Sequence, residues 1–220
     1  MVTIEIYADP ICPWCFIGKK RLEAALALRP DVKTEIRWRT FQLNPDMPSD
    51  GMERQSYLSA KFGGAGRANE IYSHIRKVGE QVGIPFAFDR IHRTPNTMKA
   101  HRLIRYAQTQ EDASGPTGMT DRLVESLYTS YFLNGADIGS DEILLDLAED
   151  AGLARSAVQT YLDGRLNEAE LQSEDMLARR LGIGGVPCFI VDGRYALSGA
   201  QEPEAFLPLL EMAMQEAAVE

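Results

Sequence analysis

Hydrophobic and polar positions follow one rhythm at the two ends of the chain and another in its middle. Residues 2–8 alternate between apolar and polar side chains as a strand does, residues 16–28 carry apolar side chains at helical spacing, and residues 34–43 alternate again. The chain is therefore predicted to open with a strand, a helix and a second strand.

The middle of the chain is predicted to be helical, because residues 45–182 contain no convincing strand pattern. The predicted helices are residues 54–62, 69–82, 97–107, 119–132, 141–151, 155–161 and 166–181. Strands return at residues 186–191 and 195–198, joined by a turn at Asp192-Gly193. A last helix is predicted from Pro203, with a kink in its first turns at Pro208.

Two cysteines stand where the first strand gives way to the first helix, in the sequence Cys12-Pro13-Trp14-Cys15. Here unpaired backbone N–H groups and the positive end of the helix dipole stabilise a thiolate on Cys12, and Pro13 lacks an N–H that would have no helical partner. Cys15 lies about one turn further along, within reach to resolve a mixed disulfide. Trp14 either tunes the dithiol or offers an apolar surface to a substrate.

Composition narrows the range of partners. The chain of 220 residues has a net charge of −9, which argues against nucleic acid or an anionic membrane as a partner. No apolar stretch reaches the roughly 18 residues of a membrane span, and the first residues lack the pattern of a secretion signal. Three cysteines are too few for a secreted disulfide scaffold. We therefore expect a cytoplasmic protein.

Residues 1–44 and 183–220 together have the order βαβ and then ββα, which is the order of elements in a thioredoxin fold. The prediction is an α/β protein: a discontinuous thioredoxin-like domain formed by these two segments, with a large all-α domain, residues 45–182, inserted between its βαβ and ββα halves.

Four segments carry a resemblance to a known family. They are Asp9-Pro10-Ile11-Cys12-Pro13-Trp14-Cys15, Thr94-Pro95-Asn96-Thr97-Met98-Lys99-Ala100-His101-Arg102-Leu103, Gly182-Ile183-Gly184-Gly185-Val186-Pro187 and Ser198-Gly199-Ala200-Gln201. They resemble the FrnE-like branch of the DsbA family of disulfide oxidoreductases. The resemblance spans nearly the whole chain. It also implies a relationship to 2-hydroxychromene-2-carboxylate isomerases and kappa-class glutathione transferases.

The resemblance implies a dithiol–disulfide oxidoreductase that acts on protein or low-molecular-weight disulfides, in which Cys12 attacks and Cys15 resolves. It implies that Pro187 is cis and lies against the dithiol, and that Asn96 and His101 line a groove between the two domains, although Asn96 also suits a helix cap. The substrate-binding residues it implies are Pro13, Trp14, Val186, Pro187, Asn96 and His101. No cofactor or metal is implied, and glutathione is a candidate redox partner or co-substrate.

Two features depart from the family pattern. Cys188 follows the family proline, where the residue is usually apolar or hydroxylic, and it is expected close to the dithiol. It would be a small packed side chain there, or a third thiol able to bond Cys12, accept glutathione or complete a metal site. The buried acid of many thioredoxin-like proteins has no obvious counterpart: Ile6 occupies its position, and Glu5 would face the other side of the sheet. Asp9 is the alternative, or only part of an Asp-Pro turn.

Two other functions remain open from the sequence. The first is a glutathione-dependent isomerase or transferase, whose known examples in these related families use serine at the first active-site position. The second is a metal or metalloid binder using Cys12, Cys15 and Cys188. A closed zinc site needs four ligands, and no second short-spaced pair of cysteines or histidines exists, so redox chemistry is favoured.

Overall fold

The computed structural model describes residues 1–115 and 117–217, and these form a four-stranded sheet and a two-stranded ribbon. In chain order the strands are β1 (Val2–Ala8), β2 (Thr34–Thr40), β3 (Met52–Glu53), β4 (Arg93–Thr94), β5 (Cys188–Val191) and β6 (Tyr195–Ser198). The larger sheet has the order β2-β1-β5-β6, with β1 and β2 parallel and the other pairs antiparallel. Its strands come from both ends of the chain, which gives the predicted α/β, thioredoxin-like sheet.

Helices cover this sheet and form the region between its two halves. They are α1 (Pro13–Leu28), α2 (Arg54–Phe62), α3 (Ala65–Gln81), α4 (Met98–Ser114), α5 (Met119–Phe132), α6 (Asp141–Ala151), α7 (Arg155–Asp163), α8 (Glu168–Arg180) and α9 (Leu207–Ala217). The prediction that the middle region contains no strand is wrong for β3 and β4, which are too short to produce an alternating pattern. Within the described residues, no helix is both long enough and apolar enough to cross a lipid bilayer.

The C-terminal helix begins later than the sequence predicts. Residues Pro203–Ala205 form a short 3-10 turn, and α9 starts at Leu207. Pro208 therefore lies in the first turn of α9, where its missing N–H has no helical acceptor to lose and no kink is needed. Residues 218–220, the end of the predicted thioredoxin-like domain, lie outside the described residues.

The two faces of the sheet have different cores. Ile4, Ile6 and Ala8 of β1 face α1 and α9 and belong to one apolar cluster that continues into the helical region. The opposite face carries a smaller cluster of Tyr7, Phe41, Ala178 and Cys188, which α8 covers. The main core is thus shared between the sheet and the inserted helices.

A charge cluster around the buried Lys19 fixes α1 against the helical region. Lys19 is 3% exposed, and its ammonium contacts Glu23 on its own helix and, at 3.0 Å each, Asp121 and Glu125 of α5. Burial alone would lower the pKa of Lys19, but the three carboxylates raise it above its ordinary value, so the ammonium stays charged. The helix that begins at the cysteine pair is therefore held in place from its second turn.

Candidate active site

The paired cysteines lie at the first turn of α1. Cys12 is the N-cap residue, Pro13 occupies the first helical position, and the carbonyl oxygen of Cys12 accepts a hydrogen bond from the N–H of Cys15 at 3.0 Å. Both thiols are free, and the residues are 3% and 2% exposed. Burial, followed by the neighbouring Cys12 thiol, raises the pKa of Cys15 well above its ordinary value. The two thiols therefore differ. Cys12 lies at the positive end of the helix dipole, and the raised pKa of Cys15 keeps its thiol protonated.

The loop before β5 lies directly against this dithiol. The Val186–Pro187 peptide bond is cis, and the Cys12 thiol donates a hydrogen bond to the Val186 carbonyl oxygen at 3.6 Å. Gly18 of α1 makes the approach possible, because a Cβ there would stand 2.8 Å from Pro187 Cγ. Pro13, Trp14 and Val186 are half-buried, so each keeps exposed surface around the dithiol.

Cys188 points away from the dithiol, contrary to expectation. Successive side chains of a strand face opposite sides of the sheet. Phe189 joins the main core beside α1, and Cys188 packs with Tyr7 on the face covered by α8. Burial raises the pKa of the Cys188 thiol. A site holding all three thiols is therefore not formed, and across residues 1–115 and 117–217 no three His, Cys, Asp or Glu side chains are placed to hold a metal ion.

Asp9 is buried directly behind the dithiol. The residue is 0% exposed, its carboxyl accepts hydrogen bonds from the N–H groups of Leu43 at 2.7 Å and Ile11 at 3.3 Å, and its carbonyl oxygen accepts the Cys12 N–H at 2.9 Å. Burial raises the pKa of Asp9 to about 7, although these N–H groups act to lower it. Its carboxyl therefore changes charge close to neutral pH.

His101 of α4 faces this carboxyl. Its Nε2 lies 3.9 Å from Asp9 Oδ1 and has no hydrogen-bond partner, and the residue is 4% exposed. Burial lowers the pKa of His101 to about 4, against the smaller opposing effects of Asp175 and the Phe41 backbone. The resemblance implied that His101 lines a substrate groove. The structure instead buries the ring behind the dithiol, where α4 packs against β2.

The side chain of Asn96 makes two hydrogen bonds within the protein at the start of α4. Its Oδ1 accepts the Met98 N–H at 2.9 Å and its Nδ2 donates to the Met47 carbonyl oxygen at 2.7 Å. The side chain therefore caps the helix and ties down the loop after β2, which leaves it little hydrogen-bonding capacity for a substrate.

Glu5 lies on the far face of the sheet, where the register of β1 predicts it. Its carboxylate pairs with Arg39 of β2 at 2.5 Å, away from the dithiol. Tyr128 of α5 was not singled out in the sequence, yet its ring stacks on Phe16 at 5.0 Å. Burial, and after it charges on Cys15 and Cys12, raise the pKa of Tyr128. No local pattern marks Tyr128, because only packing of the helical region brings it here.

A thioredoxin-like sheet, two cysteines at the start of its first helix and a cis-proline loop against them define a disulfide oxidoreductase of the thioredoxin class. Comparison with known families agrees with this class. The chain belongs to the family of DSBA-like thioredoxin domains, which matches residues 3–211.

Individual relatives cover almost the whole chain. YwbO of Bacillus subtilis, described as an uncharacterised protein, is 27% identical over 206 residues, which are 93% of this chain and 94% of that protein. The crystal structure of a probable DsbA oxidoreductase of Streptomyces coelicolor is 30% identical, with a TM-score of 0.85 over 98% of this chain and 91% of the other. The cytosolic disulfide reductase DsbM of Pseudomonas aeruginosa with GSH shares the fold, at 21% identity and a TM-score of 0.65 over 97% and 99% of the two chains.

Proposed function

We propose that the protein exchanges electrons with disulfide substrates through the Cys12–Cys15 dithiol, as a member of the FrnE-like branch of its family. The observation that carries this proposal is the contrast between the two thiols. Both residues are buried, Cys12 at the helix N-cap beside the cis-proline loop and Cys15 one turn further along with a raised pKa. A nucleophile at the helix end and a protonated resolver one turn inside suit two-step disulfide exchange.

In the forward direction the Cys12 thiolate attacks one sulfur of a substrate disulfide and the other sulfur leaves as a thiolate. Cys15 then attacks Cys12, which releases the second substrate thiol and leaves a Cys12–Cys15 disulfide. The carbonyl oxygen of Val186, which accepts a hydrogen bond from the Cys12 thiol at 3.6 Å, is free to accept one from substrate once Cys12 has reacted. Pro13, Trp14 and Pro187 surround that position. No cofactor is needed, since both electrons move between sulfur atoms.

We propose glutathione, or a protein mixed disulfide, as the redox partner, and the cytoplasm as the compartment. The small number of cysteines supports a reducing compartment. One structural neighbour is a cytosolic disulfide reductase described with GSH, which fits this choice at the level of fold. The isomerase and transferase alternative has less support, because a second thiol at Cys15 has no role in a reaction that needs only one glutathione-activating side chain.

The test is a redox titration of the full chain in buffers of reduced and oxidised glutathione, followed by alkylation and peptide mapping of all three cysteines. We expect a reversible Cys12–Cys15 disulfide, with Cys188 alkylated throughout. In Cys15→Ser, glutathione should remain trapped on Cys12, and Cys12→Ser should trap nothing. Cys188→Ala is the matched control and should titrate as the unmodified protein does.

Two results would contradict this function. Glutathione that binds stoichiometrically without forming a bond to Cys12 would favour the isomerase or transferase alternative. Metal that co-purifies in stoichiometric amount and blocks disulfide formation would favour a metal binder.

A further inference from the structure

We propose that Arg21 of α1 is a positioning residue that ties the loop after β6 to the helix carrying the dithiol. In this way it holds the Val186 carbonyl oxygen where an amide N–H of a substrate disulfide can reach it. The inference rests on the exchange reaction proposed above and concerns its first step, in which Cys12 attacks the substrate. It also gives a role to the loop Ser198-Gly199-Ala200-Gln201, which the exchange reaction leaves without one.

The guanidinium of Arg21 is buried against this loop. The side chain is 8% exposed, Nη1 donates a hydrogen bond to the Ala200 carbonyl oxygen at 2.5 Å, and Nη2 lies 2.5 Å from a carboxylate oxygen of Glu202. Within the described residues Nε has no hydrogen-bond partner, so Arg21 holds the loop through its two terminal nitrogens. The Glu202 side chain is 67% exposed, so solvent screens the ion pair, and the bond to the Ala200 backbone is the stronger tie.

The same loop is bonded to the segment that faces the dithiol. The N–H of Gly199 donates to the carbonyl oxygen of Pro187 at 2.8 Å, which continues the ladder between β5 and β6 beyond the ends of the strands. Pro187 follows Val186, whose carbonyl oxygen accepts a hydrogen bond from the Cys12 thiol at 3.6 Å. A continuous series of contacts therefore leads from Arg21 to the acceptor beside the nucleophile.

Both ends of this series lie on α1. Cys12 is the N-cap of the helix, and Gly18, in the second turn, lies against Pro187, because a Cβ on Gly18 would stand 2.8 Å from Pro187 Cγ. Arg21 follows three residues later and therefore projects from the same side of the helix. One helix thus sets the separation between Cys12 and the Val186 carbonyl oxygen. Gly18 limits how closely the segment approaches, and Arg21 keeps it from moving away.

A fixed acceptor at this place distinguishes between substrates. Once Cys12 has lost its thiol proton, the Val186 carbonyl oxygen needs another donor. A peptide disulfide such as oxidised glutathione carries amide N–H groups beside its sulfur atoms, and a disulfide of two simple carboxylic acids carries none. A site that positions an acceptor favours the substrate that pairs with it. Arg21 therefore gives the exchange reaction a preference for peptide disulfides.

The experiment compares two disulfides in the full chain carrying Cys15→Ser, where the mixed disulfide on Cys12 accumulates and only the first step is measured. Oxidised glutathione supplies amide N–H groups. Dithiodipropionate at neutral pH has no N–H or O–H donor. Both are anions, so a general effect of losing a positive charge acts on both alike. Rate constants for mixed-disulfide formation are obtained by acid quenching and mass measurement.

The variants are Arg21→Gln and Arg21→Lys, each made in this Cys15→Ser background. The matched control is Arg29→Gln. It removes a guanidinium from the C-cap of the same helix, where Arg29 pairs with Asp31 at 3.0 Å, far from the loop after β6.

Arg21→Gln should slow the reaction with oxidised glutathione about 10-fold, because the acceptor segment is no longer held in place. It should change the rate with dithiodipropionate by less than about 2-fold, since that disulfide does not use the acceptor. Arg21→Lys should recover part of the loss, because its ammonium can still donate to the Ala200 carbonyl oxygen. Arg29→Gln should leave both rates within about 2-fold of the parent protein.

Hydrogen exchange of the Gly199 amide, followed by NMR, provides a second readout that does not require any variant to fold. In the unmodified protein this amide should be protected, since it donates to the Pro187 carbonyl oxygen. In Arg21→Gln it should exchange at least about 10-fold faster, because the loop is released from α1.

Three results would overturn the inference and leave the exchange reaction intact. They are an unchanged glutathione rate in Arg21→Gln, an equal loss of rate with both disulfides, and an unprotected Gly199 amide in the unmodified protein. A Cys15→Ser protein that forms no mixed disulfide with either reagent would overturn the exchange reaction itself.

Discussion

Replacing Asp9 by Asn and His101 by Phe is expected to change the pH dependence of stability in opposite directions. The two groups are fully buried and neutral over the same range, but for opposite chemical reasons: the acid keeps its proton and the base has lost its own. Each therefore contributes a slope to the free energy of unfolding, and the two slopes have opposite signs.

Asp9 makes the folded protein less stable as the pH rises. Its pKa is about 7 when folded and 3.8 ordinarily, so between these values the folded state binds a proton that the unfolded state has released. This difference of roughly 3 pKa units lowers the free energy of unfolding by about 4 kcal/mol by neutral pH. Asn does not titrate, so the free energy of unfolding of Asp9→Asn, relative to the unmodified protein, should rise by about 4 kcal/mol across this window.

His101 makes the folded protein more stable as the pH rises. Its pKa is about 4 when folded and 6.5 ordinarily, so within this window the unfolded state binds a proton that the folded state does not. This contribution to the free energy of unfolding is fully present above the ordinary pKa of 6.5. About 3 kcal/mol of it is lost as the pH falls to the folded-state pKa of about 4. The free energy of unfolding of His101→Phe, relative to that of the unmodified protein, should therefore fall by about 3 kcal/mol as the pH rises over the same window.

Urea unfolding of the reduced proteins, followed by circular dichroism at several pH values, measures these slopes. Lost packing or a lost hydrogen bond shifts a whole curve by a constant, so only the difference from the unmodified protein as a function of pH matters. Asp192, whose carboxylate accepts the Thr3 N–H at the far end of β1, lies away from the site, so Asp192→Asn is the control and should give a flat difference. Flat differences for both buried variants would refute the reasoning, and a rising difference for His101→Phe would mean that the folded ring carries a charge.

Three further outcomes follow from the packing around the site. Gly18→Ala should destabilise the protein by about 1–3 kcal/mol in urea and slow glutathione exchange, since the new methyl would meet Pro187 at 2.8 Å. Arg102→Leu should cost at least about 3 kcal/mol in the same assay, because this buried guanidinium donates to carbonyl oxygens in the last turn of α7 and in the loop that leads to α8. Cys188→Ala should leave the midpoint of the glutathione titration unchanged, because the thiol lies on the far face of the sheet.

Local pattern was enough to predict the elements whose periodicity is strong. The strands around the dithiol and helices such as α6 follow from alternation or helical spacing alone, within a few residues. The β3–β4 ribbon could not be predicted, because two residues per strand show no period. The kink expected at Pro208 failed for a positional reason: a proline disturbs a helix interior but not a first turn, and the boundary set by the preceding 3-10 turn was not visible in the sequence.

Some residues of the candidate site could be predicted from local sequence, and others could not. Cys12 and Cys15 are recognisable because both lie within one helical turn, and Pro187 stands out by its place before a late strand. The direction of Cys188 depends on strand phase, and the residue before it, Pro187, packs on Gly18 of a distant helix. Sequence proximity to the proline suggested closeness to the dithiol, but a single step along a strand reverses the side chain.

The meeting of Asp9 and His101 shows what the helical insertion adds to the fold. A thioredoxin-like sheet alone would leave the loop after β1 at the open end of the strands, where water would hydrate Asp9 and keep its pKa ordinary. In this protein α4 supplies His101 and α8 supplies Asp175, and the covered carboxyl is 0% exposed with a pKa near 7. The shared core that joins the sheet to the inserted helices therefore does more than stabilise them. It buries Asp9 behind the dithiol and so raises the pKa of its carboxyl, and a substitution that loosens the packing of α4 should lower that pKa.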